Sequence, residues 1–192
     1  MAQKKQTLRI ILLTLIAVFI LSCKPLAFEN APEIKSKGDS CLLTFSYAKP
    51  ELWNYLRSGL NYLESPSPLL NPESIPPTYI HPDSKGFGAY GFSPGAYEDV
   101  QRVYPFFKQY SWQNIMASPK LYDLANQASA DWLLKNLKDY LPEGALKQQV
   151  FQVLHQAWNL GLSGFRNGRK VVASRTKRAQ EFYSNNPPEK TS

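Results

Sequence analysis

The sequence predicts a mostly α, single-domain protein interrupted by one long proline-rich loop. Three observations lead there. Apolar residues recur at helical spacing in several segments beyond residue 48, and no stretch alternates strand and helix patterns. Prolines fall between those segments or in their first turns. The chain has 192 residues, 43% hydrophobic and 13% aromatic, which suits one domain with a real core and excludes wholesale disorder.

Composition removes several function classes. Two cysteines exclude a disulfide-stapled scaffold, and with two histidines they leave no zinc-ligand cluster, so no metal or other cofactor is expected. No Gly-x-Gly-x-x-Gly or Gly-x-x-x-x-Gly-Lys-[Ser/Thr] run is present, which argues against a nucleotide cradle. No Ser/His/Asp or Cys/His triad pattern is visible, and neither His81 nor His155 has a partner motif.

Residues 1–22 read as a secretory signal. Lys4, Lys5 and Arg9 precede an apolar run from Ile10 to Leu21. Twelve helical residues reach about 18 Å, short of a hydrocarbon core of roughly 30 Å. The run ends Ile20-Leu21-Ser22-Cys23, which resembles a bacterial lipobox. That resemblance implies a lipidated Cys23, a membrane anchor, and export to the cell envelope with the domain in the periplasm. Lys24 lacks the aspartate that retains some lipoproteins at the inner membrane, which favours the outer membrane in a cell that has one. Cleavage elsewhere would leave a Cys23–Cys41 disulfide conceivable. Residues 23–47, with Pro25, Pro32 and Gly38, read as the lipidated cysteine and a tether; Cys41 to Phe45 suit a short strand or packed extension.

The domain is expected over 48–185. Its first helix begins near Lys49 or Pro50, with Leu52, Leu56, Leu60 and Leu63 on one face and Trp53 one step off it. Pro66 and Pro68 end that helix. The loop from Pro66 to Phe92 holds six prolines by Pro82, then Gly86, Gly88 and Gly91. Ser93-Pro94 has the form of an N-cap and first helical position, opening a helix to about Tyr104. A helix over about 118–141 carries Leu121, Leu124, Ala128, Trp132, Leu137 and Leu141 on one face. The next carries Leu146, Val150, Val153, Leu154, Ala157 and Trp158, ending near Gly161 and Gly164. Trp132 and Trp158 are therefore expected in the core. A last helix spans about Ala173 to Tyr183, and 186–192 form a disordered tail.

Charge is uneven. The whole chain is +7; without residues 1–22, 19 basic residues face 15 acids, a net +4. Arg166, Arg169, Lys170, Arg175, Lys177 and Arg178 lie in a stretch from Gly161 to Gln180 that has no acid. An exported basic patch meets wall polymer or lipid headgroups rather than nucleic acid, although a solvated helix face has the same composition.

Glu64 is the residue with chemical promise. It ends an apolar-faced helix, where the macrodipole is negative and apolar neighbours desolvate charge. Both effects raise a carboxyl toward a usable general acid. The 27-residue loop that follows supplies material for a cleft wall.

Around Glu64, four motifs occur in an order that resembles the lysozyme-like domain of goose-lysozyme-type bacterial lytic transglycosylases. An apolar helix ends in Leu60-Asn61-Tyr62-Leu63-Glu64-Ser65, where the family has Glu-Ser. Gly88-Ala89-Tyr90-Gly91-Phe92-Ser93-Pro94 stands for Gly-Ala-x-Gly-Leu-Met-Gln. Asp123 to Leu133 stands for an Asp-x-x-x-Asn helix, and Ala157-Trp158-Asn159-Leu160-Gly161 for Ala-Tyr-Asn-x-Gly. The Arg175 to Tyr183 segment matches a closing Arg-containing helix. The resemblance covers roughly 48–185. It departs at the longer loop, at Ser93-Pro94 in place of Met-Gln, and at Trp158 in place of Tyr. Glu73-Ser74 is a rival for the Glu-Ser motif, with spacing to Gly88 nearer the family's.

The resemblance implies a peptidoglycan lytic transglycosylase with Glu64 as the single general acid/base. Ser65, Tyr90, Gly91 and Asn159 are then the candidate substrate-binding residues, and peptidoglycan glycan strands the partner, within a possible envelope protein complex. No convincing second carboxylate is identified; Asp83 and Asp99 qualify only by position. The alternative is a lysozyme-like lipoprotein that binds peptidoglycan or scaffolds the envelope without turnover.

Overall fold

A computed structural model describes residues 43–64, 74–81 and 86–186. The expected signal, Cys23, Cys41 and most of the tether lie outside them, as do Ser65, Glu73 and Asp83. Within them the protein is helical, without named strands. Six α-helices are present: α1 (Pro50–Glu64), α2 (Pro94–Val103), α3 (Trp112–Ala117), α4 (Pro119–Leu137), α5 (Lys147–Arg166) and α6 (Ala173–Asn185). Short 3-10 turns at Gly88–Tyr90, Pro105–Gln109 and Lys138–Tyr140 link them. Among the described residues no helix is long and apolar enough to cross a membrane.

Helix α4 is the hub, packing against α2, α3 and α5. Its buried surface includes Leu121, Ala125, Ala128, Leu134 and Leu137, but also Asn126, Gln127, Ser129 and Asp131. A helix buried on nearly every side has no single apolar stripe, so its periodicity understates its burial. Asp131 and Gln127 tie the segment before the first helix to this one. Asp131 accepts from the backbone N–H of Tyr47 at 2.6 Å and Ala48 at 2.7 Å, and from the Tyr104 hydroxyl at 2.7 Å. Gln127 donates to the Ala48 carbonyl. The last residues of the expected tether are thus docked: Leu43 and Phe45 pack on the core, and the polypeptide is fastened at Tyr47 and Ala48.

Helix α1 packs against α5, α6 and the Gly88–Tyr90 turn. Its buried residues include Trp53, Leu56, Gly59, Leu60, Leu63 and Glu64. Trp53 is only 3% exposed, not partly exposed as its offset from the leucine row suggested. The true buried face is rotated toward it, and its indole N–H reaches Asp123 at 3.3 Å. Trp132 and Trp158, expected in the core, are half-buried and pack at its edge. Ser93 caps α2 as expected, accepting from the Ala96 N–H, with Pro94 at the first helical position. Helix α3 and the turns beside it gave no sequence signal long enough to read. Helix α5 runs on past the expected stop, broken at Gly161 (φ 67°, ψ 164°).

The α1–α5 contact depends on Gly59. A Cβ there would run into the ring of Phe151. That ring cannot retreat, because Tyr55, His155, Phe182 and Tyr183 hem it in. Alanine raises intrinsic helix propensity by about 1 kcal/mol over glycine, yet the overpacking costs about 1–3 kcal/mol. Gly59→Ala is therefore expected to lower the urea midpoint; a raised midpoint would show that the helices separate freely.

Candidate active site

The site begins with the end of α1. Leu60 and Leu63 anchor the last turn in the core, and this carries Glu64 inward to 6% exposure. Four further elements converge on it. The loop brings Tyr79 and His81, the Gly88–Tyr90 turn delivers Gly91, and α5 and α6 supply Asn159 and Arg175. Together they line a cleft of about 930 Å³ with Glu64 in its wall.

Arg175 joins α6 to both other helices. Its Nη1 donates to Glu64 Oε1 and to Asn159 Oδ1. The Asn159 amide nitrogen donates to the His155 carbonyl at 2.8 Å, which fixes the side chain one turn up its own helix. Asn159 is therefore neither a helix cap nor a lone amide. It is the third member of a Glu64–Arg175–Asn159 bridge.

The electrostatics of Glu64 are a contest. Burial raises its pKa above the ordinary 4.5, while the charge and hydrogen bond of Arg175 lower it, followed by the charges of His81 and Arg178. Burial wins and the net shift is upward. Nothing else that lines this cleft among the described residues is a carboxylate. Asp99, expected only by position, lines a neighbouring groove and pairs with Arg102.

Gly91 is what lets the turn approach the carboxylate. Its backbone is left-handed (φ 64°), and a Cβ would sit 2.7 Å from Glu64 Oε2. Conformation and space both require glycine there.

Tyr90 does not join Glu64. It is 3% exposed, stacked on Tyr122 with centroids 5.6 Å apart, and its hydroxyl donates to Asp123 at 3.0 Å. Its ring belongs to the core and to a separate pocket with Arg57 and Asp123. The 3-10 turn sends adjacent residues in opposite directions, so Gly91 faces the cleft and Tyr90 faces away. Tyr90 still contributes through its backbone: its carbonyl accepts from the Trp158 indole at 2.9 Å.

Trp158 makes the rim. Its ring packs on Phe92 with centroids 6.4 Å apart, and it lines both the Glu64 cleft and the neighbouring groove of about 370 Å³. The two share Gly91, Ser93, Trp158, Asn159 and Leu160 in their linings. Trp132 lines the second. The result is a pair of adjoining clefts with the Trp158 indole common to both, the buried Glu64 in the first and the half-buried Asp99 in the second.

Two site residues escaped sequence reasoning. His81 is buried at 5%, bonded through Nε2 to the Gly88 carbonyl, and faces the cleft. Arg175 was read as one cation of a basic run and as part of the closing helix, with no role at Glu64. The signal available was that run's lack of any acid to pair with nearby in sequence. His155, by contrast, is structural: buried, bonded to the Phe151 carbonyl, its pKa pushed down by burial. Among the described residues no group of His, Cys, Asp and Glu is placed to hold a metal ion.

Comparison with family models, with curated proteins and with solved structures finds no match to this chain.

Two outcomes follow from this geometry. A carboxyl whose folded pKa is raised above 4.5 binds its proton more tightly in the folded state. Its contribution to stability is full below 4.5 and is lost as pH rises through the folded pKa. The stability of the wild type relative to Glu64→Gln should accordingly fall across that window in urea titrations; a difference that stays flat would refute the raised pKa. Gly91→Ala should cost at least about 1–2 kcal/mol from the left-handed backbone alone. It should also displace Glu64, read as a changed titration of its carboxyl by NMR; an unaltered Glu64 signal would rule out the close approach.

Proposed function

We propose that this chain is a lysozyme-like peptidoglycan lytic transglycosylase, exported and held at the cell envelope through a lipidated Cys23. One observation carries the reading: a single buried carboxyl, raised in pKa, lies in a cleft lined by no second carboxylate among the described residues, Asp99 standing in the adjoining groove paired with Arg102. Hydrolysis by the usual retaining or inverting routes uses two carboxyl groups at set separations. A scheme with one carboxyl fits the residues present. The helical architecture and the order of the sequence motifs agree with it.

The chemistry needs Glu64 twice. Protonated, it gives its proton to the glycosidic oxygen that follows a muramic acid residue, and the bond from that oxygen to C1 breaks. As carboxylate, it takes the proton from the muramic C6 hydroxyl while that oxygen closes on C1. The product ends in a 1,6-anhydro ring, no water is consumed, and Glu64 finishes protonated. Burial supports the first role by keeping the acid form available. Trp158 and Trp132 offer apolar faces for sugar rings, and Ser93 offers a hydroxyl at the wall. Ser65 lies outside the described residues, and its expected part in orienting Glu64 belongs to the proposal.

A second reading has its own observation. Arg175 donates to Glu64 in the structure, and a carboxylate held by a guanidinium is a poor acid. This favours a lysozyme-like lipoprotein that binds the wall or an envelope partner without cleaving.

The deciding measurement is mass spectrometry of muropeptides released from purified peptidoglycan by the full chain and by Glu64→Gln. Anhydro-muropeptides that vanish in the variant are expected. Their rate of release should decline as pH rises above the raised Glu64 pKa, since the acid form is then lost. Hydrated products would make the chain a muramidase instead, and binding with no release would establish the non-catalytic reading.

A further inference from the structure

The wall opposite the loop is strongly cationic. Lys170, Arg175 and Arg178 line the cleft together, against Glu64 as the one carboxylate among the described lining residues. No acid occurs from Gly161 to Gln180, and the next one, Glu181, pairs with Lys177 rather than lining the cleft. Arg178 lies over the Tyr62 ring, 5.9 Å from its centroid, which holds it at the cleft edge. Arg175 is 20% exposed at its side chain and reachable from the cleft. A neutral glycan needs none of this charge. Cations gathered in a semi-enclosed cleft focus a field that favours an anionic ligand.

The nature of the anion follows from the guanidinium. A planar fork of donors matches a carboxylate. In the structure one nitrogen of that fork, Nη1, is engaged by the protein's own carboxylate, Glu64, and by the amide oxygen of Asn159. A carboxylate that enters along the cationic wall and takes the fork with both oxygens competes with Glu64 for Nη1.

We propose that Arg175, supported by Lys170 and Arg178, is the receptor for a carboxylate carried by the bound glycan, and that its docking draws Arg175 away from Glu64. This rests on the transglycosylase reading and deepens it. The substrate class becomes an acidic glycan, with the carboxylate on the sugar's own lactyl group or on an attached peptide. The internal ion pair marks the empty cleft. Loss of Arg175 to the substrate leaves Glu64 buried without its guanidinium, the condition in which a carboxyl keeps its proton. Acid function is then delivered only with an acidic glycan in place. Asn159 remains bonded to the His155 carbonyl and gives Arg175 a fixed hinge partner.

The test uses the full chain carrying Glu64→Gln, which prevents turnover, and calorimetry with three probes. These are chitohexaose, a peptide-free hexasaccharide of alternating N-acetylglucosamine and N-acetylmuramic acid, and the same hexasaccharide bearing L-Ala–D-Glu. The acidic glycans should bind on the order of tenfold to a hundredfold tighter than chitohexaose, as expected for charge-assisted hydrogen bonds. Whichever acidic glycan binds more tightly identifies the carboxylate's source. Adding Arg175→Gln should abolish the preference, and adding Lys170→Gln at an exposed position should reduce it. In the wild type, N-acetylmuramic acid, which has no glycosidic bond to cleave, should shift the Glu64 titration upward by NMR, and N-acetylglucosamine should not. Equal binding of all three glycans, or a preference that survives Arg175→Gln, overturns the inference and leaves the glycan reading intact. No binding of any glycan overturns both.

Discussion

A carboxylate removed from water must find a cation or keep its proton, and the placement of Glu64 forces that choice on the whole site. Helix α1 ends with Leu60 and Leu63 in the core, so the residue one turn beyond is drawn inward whatever its charge. At that end the helix dipole adds to the penalty. Arg175 relieves it by reaching across from α6, and Asn159 steadies Arg175 from α5. One buried charge thereby fastens α1 to the consecutive helices α5 and α6, which lie more than 80 residues further along the chain. The α1–α6 and α1–α5 packing around Phe151 and Phe182 provides the rigid frame that such a bridge requires.

The bridge is not a simple contribution to stability. A buried ion pair regains through Coulomb attraction only part of what its desolvation costs. Here the net pKa of Glu64 still lies above its ordinary value, so Arg175 offsets burial without cancelling it. A structural ion pair would be better served by full compensation. An incomplete one leaves the carboxyl close to changing state, and perturbed groups of that kind gather in functional clefts.

Much of this was legible in the sequence, and the failures have physical causes. The leucine row of α1 gave the helix, and its end gave Glu64. Ser93-Pro94 gave the cap of α2 because capping is a local interaction. The side toward which α4 buries itself was not legible. Gln127 and Asp131 look like a solvated face until their partners at Tyr47, Ala48 and Tyr104 are known. Arg175 was hidden for a related reason: it pairs with a residue 111 positions away, and a basic run reads as solvated until the fold closes it over a cleft. Tyr90 and Gly91 were adjacent letters with opposite destinations. A 3-10 turn at Gly88–Tyr90 divides them, and its direction is set by the packing of Tyr90 on Tyr122 and Trp53.

The two oxygens of Glu64 are made unequal by these same neighbours. Oε1 accepts from Arg175, so a proton there would face a cationic donor. Oε2 lies against Gly91, at the spot a Cβ would claim. The proton of the acid form therefore belongs on Oε2, in the space that the turn leaves beside it by having no side chain at Gly91. A larger residue at 91 would close that side, and loss of Arg175 would remove the asymmetry. Arg175 thus holds one oxygen and Gly91 leaves the other its space, so the two oxygens cannot exchange places unless the guanidinium or the turn moves.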